Sequence, residues 1–221
     1  MRRALVLLGL CAAGLPAFGQ AAPQARISFH FENPSLSPAA YDLSINEDGS
    51  GHYHSDPGDI APVDAHGGRP QAFDQDIHIS SGVRQQLFAL ARSHHFFAIA
   101  CEAPKSKVAF NGRKTVGYTG ADGAGSCTYN YSRDAQLNKL ADTIYAISNT
   151  LEIGRKLRLD LLYDHLSLDA DLETLSGYVK EGRALEVRNI APELDTIDQD
   201  PGVMSRARSR AHALLQNAPP D

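Results

Sequence analysis

The chain has 221 residues, 43% of them apolar, 21% charged and 7% aromatic, with three Cys and no Trp. Such a composition belongs to an ordinary globular protein and excludes collagen-like, disulfide-dense and largely disordered chains. A formal net charge of −5 argues against nucleic-acid binding, which draws on a basic excess.

Residues 1–19 read as a secretory signal peptide. Arg2 and Arg3 form the positive lead, Ala4 to Leu15 the apolar segment, and Pro16-Ala17-Phe18-Gly19 places small residues where a signal peptidase reads them. Cleavage is expected after Gly19, with Ala21 as the close alternative. Leu10 ahead of Cys11 does not fit a lipoprotein signal, and one Met ahead of Arg2-Arg3 does not fit a twin-arginine signal. The expected location is therefore secreted or periplasmic. No apolar run approaches the ~20 residues of a spanning helix, so the mature chain is not expected to be an integral membrane protein. Loss of two arginines and no acid takes the formal charge from −5 to −7, which weakens a nucleic-acid reading further. Cys101 and Cys127 remain as an even pair, and an oxidising compartment makes them a predicted disulfide.

Residues 20–25 read as a flexible lead. Ile27, Phe29 and Phe31 alternate with polar residues, as do Tyr41, Leu43 and Ile45, which is the period of half-buried strands. Glu47-Asp48-Gly49-Ser50 supplies a turn into Gly51-His52-Tyr53-His54, predicting a hairpin. Residues 56–75, rich in Pro and Gly, read as a long exposed loop. Ile77 and Ile79 mark a short strand, and Ser80-Ser81 is placed to cap a helix over 82–97. Val108 to Tyr118 is predicted to be a second hairpin turning at Asn111-Gly112, followed by another turn over Gly120 to Gly125 and a last strand with Cys127, Tyr129 and Tyr131 on one face. In such a meander the first and third strands run parallel, bringing Cys101 and Cys127 to the same end of the sheet.

From Asp134 the period becomes helical: Leu137, Leu140, Ile144, Ile147 and Leu151 make one stripe. Gly154 takes the next place in the series, and a helix end or kink is expected there. Leu168, Leu172, Leu175 and Val179 define a helix stopped near Gly182, and Ile190, Leu194 and Ile197 a short one. Asp200-Pro201 is expected to cap a last helix through about Gln216, leaving 218–221 as a disordered tail. Strands followed by helices predict an α+β fold: an antiparallel sheet with packed helices over 26–153, then a bundle-like helical region over 154–217.

The pattern Tyr41-x-Leu43-x-Ile45 with Asp48-Gly49 and Tyr53, the helix ending Phe96-Phe97, the segment Asn111 to Val116 and the Leu137/Leu140 helix resemble an uncharacterised family of exported bacterial α+β domains, many of them lipoproteins. The resemblance spans about residues 26–153 and implies no activity; the Cys at the start of its lipoprotein members is missing here. Residues 190–215 resemble a single HEAT-type helix pair, which is read as antiparallel helix packing.

The sharpest chemical cluster is His52-x-His54 with Asp56, Asp59, Asp64 and His66. Residues two apart on a strand share a face, so His52 and His54 could reach one divalent metal completed by His66 or Asp56. The alternative is that both imidazoles form the polar side of a hairpin whose Tyr53 faces inward. Asp164-His165 suggests part of a triad but brings no nucleophile. Asp169-x-Asp171-x-Glu173 lacks the Gly and final Glu of a calcium loop and suits a helix N-terminus instead. Arg206 and Arg210 share a helix face and, with Asp195, Asp198 and Asp200 just before them, read as a solvated or intramolecularly paired surface, a docking surface for an acidic partner being the alternative. No nucleotide-binding loop, nucleophile elbow or zincin helix is present. These features together predict an exported binding or interaction protein without a catalytic constellation and without a cofactor, its partner an unknown protein or an envelope component. A metal-dependent protein built on His52 and His54 is the second expectation.

Overall fold

The computed structural model describes residues 24–61, 70–103 and 108–218. The expected signal peptide, the tail beyond Ala218 and His66 with Asp64 lie outside these residues.

Alternating apolar residues build β1 (Arg26–Glu32), β2 (Ala40–Asn46), β3 (Ser50–Asp56) and β4 (Phe73–His78). With β5 (Arg113–Gly120) and β6 (Gly123–Tyr129) they form one antiparallel sheet in the order β4-β3-β2-β1-β5-β6. The fold is α+β, as the periodicity predicts. One face of the sheet meets α1 (Ser81–Ser93) and the first half of α2 (Ala135–Tyr163), closing a core around Ile27, Phe29, Leu43, Ile45, Leu140 and Ile144. The other face is exposed and polar.

Asp134 caps α2, accepting from the backbone N–H groups of Gln136 and Leu137 and pairing with His94 Nε2 at 3.1 Å. The helix runs unbroken for 29 residues, and the expected break at Gly154 is absent. Gly154 faces Ile190, whose Cγ2 stands 2.2 Å from where a Cβ would be. The residue is small so that another segment can press against the helix, not so that the helix can stop. A second core gathers Leu157, Leu168, Leu172, Leu194, Ile197 and Ala207 among the end of α2, α3 (Leu168–Lys180), α4 (Ala191–Gln199) and α5 (Ser205–Asn217). The two cores therefore change over between Leu151 and Leu157 along one continuous helix. Buried Asp169 on α3 is held by Arg206 and Arg210 of α5.

Other expectations need correction. Asn111-Gly112 does not turn a hairpin. It leads into β5, with Gly112 at φ 113° and Phe31 filling the space of a Cβ, and the hairpin of β5 and β6 turns between Gly120 and Gly123, within the turn expected over Gly120 to Gly125. The residues after α1 are not its last turn: His95, Phe96 and Phe97 all take φ between 52° and 65°. This left-handed turn docks on β6 because Gly123 and Gly125 let it approach closely, and Phe96 stacks on Tyr118 at 5.0 Å. Ser80 makes no capping bond; its N–H and hydroxyl donate to Glu186. The last helix begins at Ser205, since Asp200 is occupied in a local turn, accepting from Gly202 N. The loop expected over 56–75 gives way to β4 at Phe73.

The Cys101–Cys127 disulfide is formed. The route to it differs from the expected meander, for Cys101 stands in the segment following the left-handed turn and Cys127 lies near the end of β6. At the opposite edge, the Asn189 side chain accepts from His78 N at 2.7 Å and donates to His78 O at 2.9 Å, and Gln75 donates to Asn189 O.

Candidate functional site

The register sets one row of inward-facing side chains at the end of the sheet: Tyr129, Lys114, Phe31 and Tyr41 lie side by side on β6, β5, β1 and β2. Above them, α2 carries a second stripe beside its apolar one, with Asn138, Asp142, Tyr145, Asn149 and Glu152 at helical spacing. Row and stripe enclose a cleft of about 780 Å³, extended by Leu36 to Pro38, Tyr131 and Tyr178. That volume lies within the roughly 300–1,000 Å³ typical of small-molecule sites.

Lys114 is an unusual member of an inward row. It is only 6% exposed, and its ammonium donates to Asn111 Oδ1, Gly112 O and Asn130 O at 3.0–3.3 Å. Burial holds its pKa below the ordinary lysine value. Its three N–H donors are thus spent on neutral oxygens, and the charge lies 5.6 Å from the Tyr129 ring centre. Glu152 is likewise committed: one carboxylate oxygen accepts from Tyr53 Oη and Ser55 Oγ, the other from Arg155 Nε. Lys156 pairs with Asp160 and Asp171.

Two groups in this lining stand apart. The hydroxyls of Tyr41 and Tyr129, residues 4% and 2% exposed, meet no hydrogen-bond partner among the described residues. Burial drives the Tyr41 pKa far up, with Tyr145 and Tyr53 adding to the rise and Ser148 acting against it. Burial pushes Tyr129 up to about 12, helped by the carboxylates of Asp142 and Asp134. Burial also raises Tyr145. All three stay protonated at neutral pH, each able both to donate and to accept. A buried hydroxyl left unpaired costs stability, so a site that retains two of them is a candidate for binding.

The histidine cluster lies elsewhere. His52 and His54 share the exposed face of β3, as strand geometry requires, and Tyr53 between them faces the core. Their partners come from β4, not from the following loop. His52 Nδ1 meets Asp76 at 2.9 Å, and Asp74 bridges His52 Nε2 at 3.2 Å and His54 Nδ1 at 2.8 Å. The bond to Asp76, and secondarily that to Asp74, raises the His52 pKa above 6.5. His30 and Asp42 continue the row on β1 and β2 at 2.8 Å. Asp56 is turned to its own loop, accepting from Gly58 N. Among the described residues no group of three His, Cys, Asp or Glu side chains can hold a metal ion, so the metal expectation gains no support.

Asp164 and His165 do not form part of a triad. His165 Nε2 bonds Leu161 O, and Ser167 Oγ donates to Asp164 at 2.6 Å instead of meeting the imidazole. Among the described residues no helix is long and apolar enough to cross a membrane.

Of the cleft residues, sequence reasoning placed Tyr41 and Tyr129 on inward strand faces but assigned no role to either. Two signals were available. Lys114 has the same alternation phase as Val116 and Tyr118, an odd place for a lysine, and the polar stripe on α2 repeats at helical spacing. A comparison with protein-family models and with curated proteins finds no match for this chain.

Proposed function

We propose that this is an exported binding protein whose ligand site is the tyrosine-lined cleft between the end row of the sheet and α2. The carrying observation is the pair of buried, unpartnered hydroxyls of Tyr41 and Tyr129 in its lining. Export is supported by the leader-like residues 1–19 and by the Cys101–Cys127 disulfide, a bond at home in oxidising compartments. The sheet supplies a rigid floor, the helix a rigid wall, and neither the Lys114 ammonium nor the Glu152 carboxylate is placed to exchange protons with a ligand.

A thermal-shift screen of the purified chain against a chemically mixed small-molecule library tests this reading. At least one compound is expected to raise the melting temperature, and the double variant Tyr41→Phe/Tyr129→Phe is expected to lose most of that shift. Without ligand the double variant should melt at or slightly above the parent temperature, because it removes two hydroxyls that have no partner. Hits that bind the double variant as well as the parent, or no hits at all, would overturn the assignment.

A further inference from the structure

The polar groups of the cleft narrow what it accepts. An anionic ligand needs a cation to meet it, yet the three Lys114 donors are spent on neutral oxygens and Lys156 is paired with two aspartates. Exposed Asp142 at the rim would repel an anion further. A cationic ligand would have to displace Tyr53, Ser55 and Arg155 from Glu152, and the other carboxylate, Asp142, stands at the rim in water, where a single ion pair contributes little. A peptide adding to the sheet would need free backbone groups on the edge strand β6, but beside this row the chain leaving β6 is already bonded, Tyr131 O accepting from Ala103 N and Asn130 N donating to Glu102. A purely apolar ligand would leave both tyrosine hydroxyls unsatisfied.

What remains is a neutral molecule with apolar ring faces and a rim of hydroxyls. Tyr131, Tyr145 and Tyr178 offer half-buried aromatic surface. The Tyr41 and Tyr129 hydroxyls both donate and accept, the pairing a sugar hydroxyl returns. Resting on the binding reading above, we infer that the cleft takes a neutral oligosaccharide, with pyranose faces against the half-buried tyrosines and ring hydroxyls on Tyr41 and Tyr129.

The chain offers its own reporter. It has no Trp and eight Tyr, and Tyr41, Tyr129, Tyr131, Tyr145 and Tyr178 all line the cleft, so tyrosine emission reads occupancy directly. The experiment titrates the full chain, followed by emission and calorimetry, with cellotetraose, tetra-N-acetylchitotetraose and maltotetraose. Inorganic phosphate and a proline-rich decapeptide serve as the other arms. One tetrasaccharide is expected to bind and change the emission saturably. Tyr131→Ala and Tyr178→Ala should each weaken it roughly three- to tenfold, as loss of one ring contact does. Tyr131→Phe keeps the ring and should bind like the parent, which separates a stacking role from a damaged fold. Co-sedimentation with the matching insoluble polymer would assign the source as a glycan chain, and its absence a free sugar. If the peptide or phosphate binds at the cleft and no sugar does, the saccharide assignment falls while the binding reading stands. If nothing in any arm binds, both fall.

Discussion

Gly154 shows how one missing side chain organises the helical half of the molecule. A Cβ there would come within 2.2 Å of Ile190 Cγ2 and 3.0 Å of its Cβ, contacts that force a shift of either helix or turn. Gly154→Ala should therefore lower stability by about 1–3 kcal/mol through overpacking, more than the ~1 kcal/mol that alanine adds to a helix interior. Urea unfolding measures the difference. In an Ile190→Ala background the same substitution should become neutral or stabilising, and a loss that persists there would refute the contact as the cause. Gly123 and Gly125 serve the same end on β6, admitting the left-handed turn of His95 to Phe97. Reading such glycines from sequence goes astray for a physical reason. A glycine marks either a chain that must bend or a neighbour that must come close, and only the neighbour's position distinguishes them. The break expected at Gly154 was the wrong choice of the two.

At the scale of elements, strands and helices announced themselves by period. The inward residues of β1 and β2 and the buried stripe of α2 are those the alternation marks. Asn111-Gly112 misled because the dipeptide favours positive φ wherever a chain needs it. Here Gly112 uses it, at φ 113°, to pass beneath Phe31 on the way into β5. The cleft was legible in part: phase alone assigns Tyr41, Lys114 and Tyr129 to one face. Their lying in one row depends on the strand order, with β1 between β2 and β5, and no local pattern encodes that order. The histidine cluster was legible as a shared face, but its acids come from β4, and only the pairing of β3 with β4 brings them opposite. Between α2 and α3, Asp160 and Asp171 share Lys156. Burial, with Asp171 close by and Lys156 opposing, lifts the Asp160 carboxyl from 3.8 to about 6. A carboxyl with a raised folded pKa binds protons more tightly in the native state. Its ionisation therefore weakens the fold above about pH 6, and the penalty fades as pH falls toward 4. Asp160→Asn should then gain stability relative to the parent at pH 8, keep part of that gain at pH 5 and lose it by about pH 4. A difference that stays constant across denaturation midpoints measured over this range would contradict the shift.

The whole molecule is two cores threaded on one helix, and its sheet is closed off at both sides by segments that are not strands. On the β6 side the disulfide and the left-handed turn do this. On the β4 side a single amide does it, for Asn189 presents an acceptor and a donor to the same residue, His78, as a neighbouring strand would. The outermost strand is thereby answered by a side chain from the helical half. An unanswered strand edge is a template onto which another chain can add. Asn189→Ala leaves the two backbone groups of His78 without that partner. The variant should remain folded by circular dichroism yet self-associate on prolonged incubation, giving thioflavin-positive material that the parent does not form; a variant that stays monomeric would show that the edge is protected by other means. In this light the C-terminal helices are more than a second hydrophobic core. They also hold the His78 end of β4 closed, and a chain shortened before Asn189 would present those two backbone groups to any strand that approached.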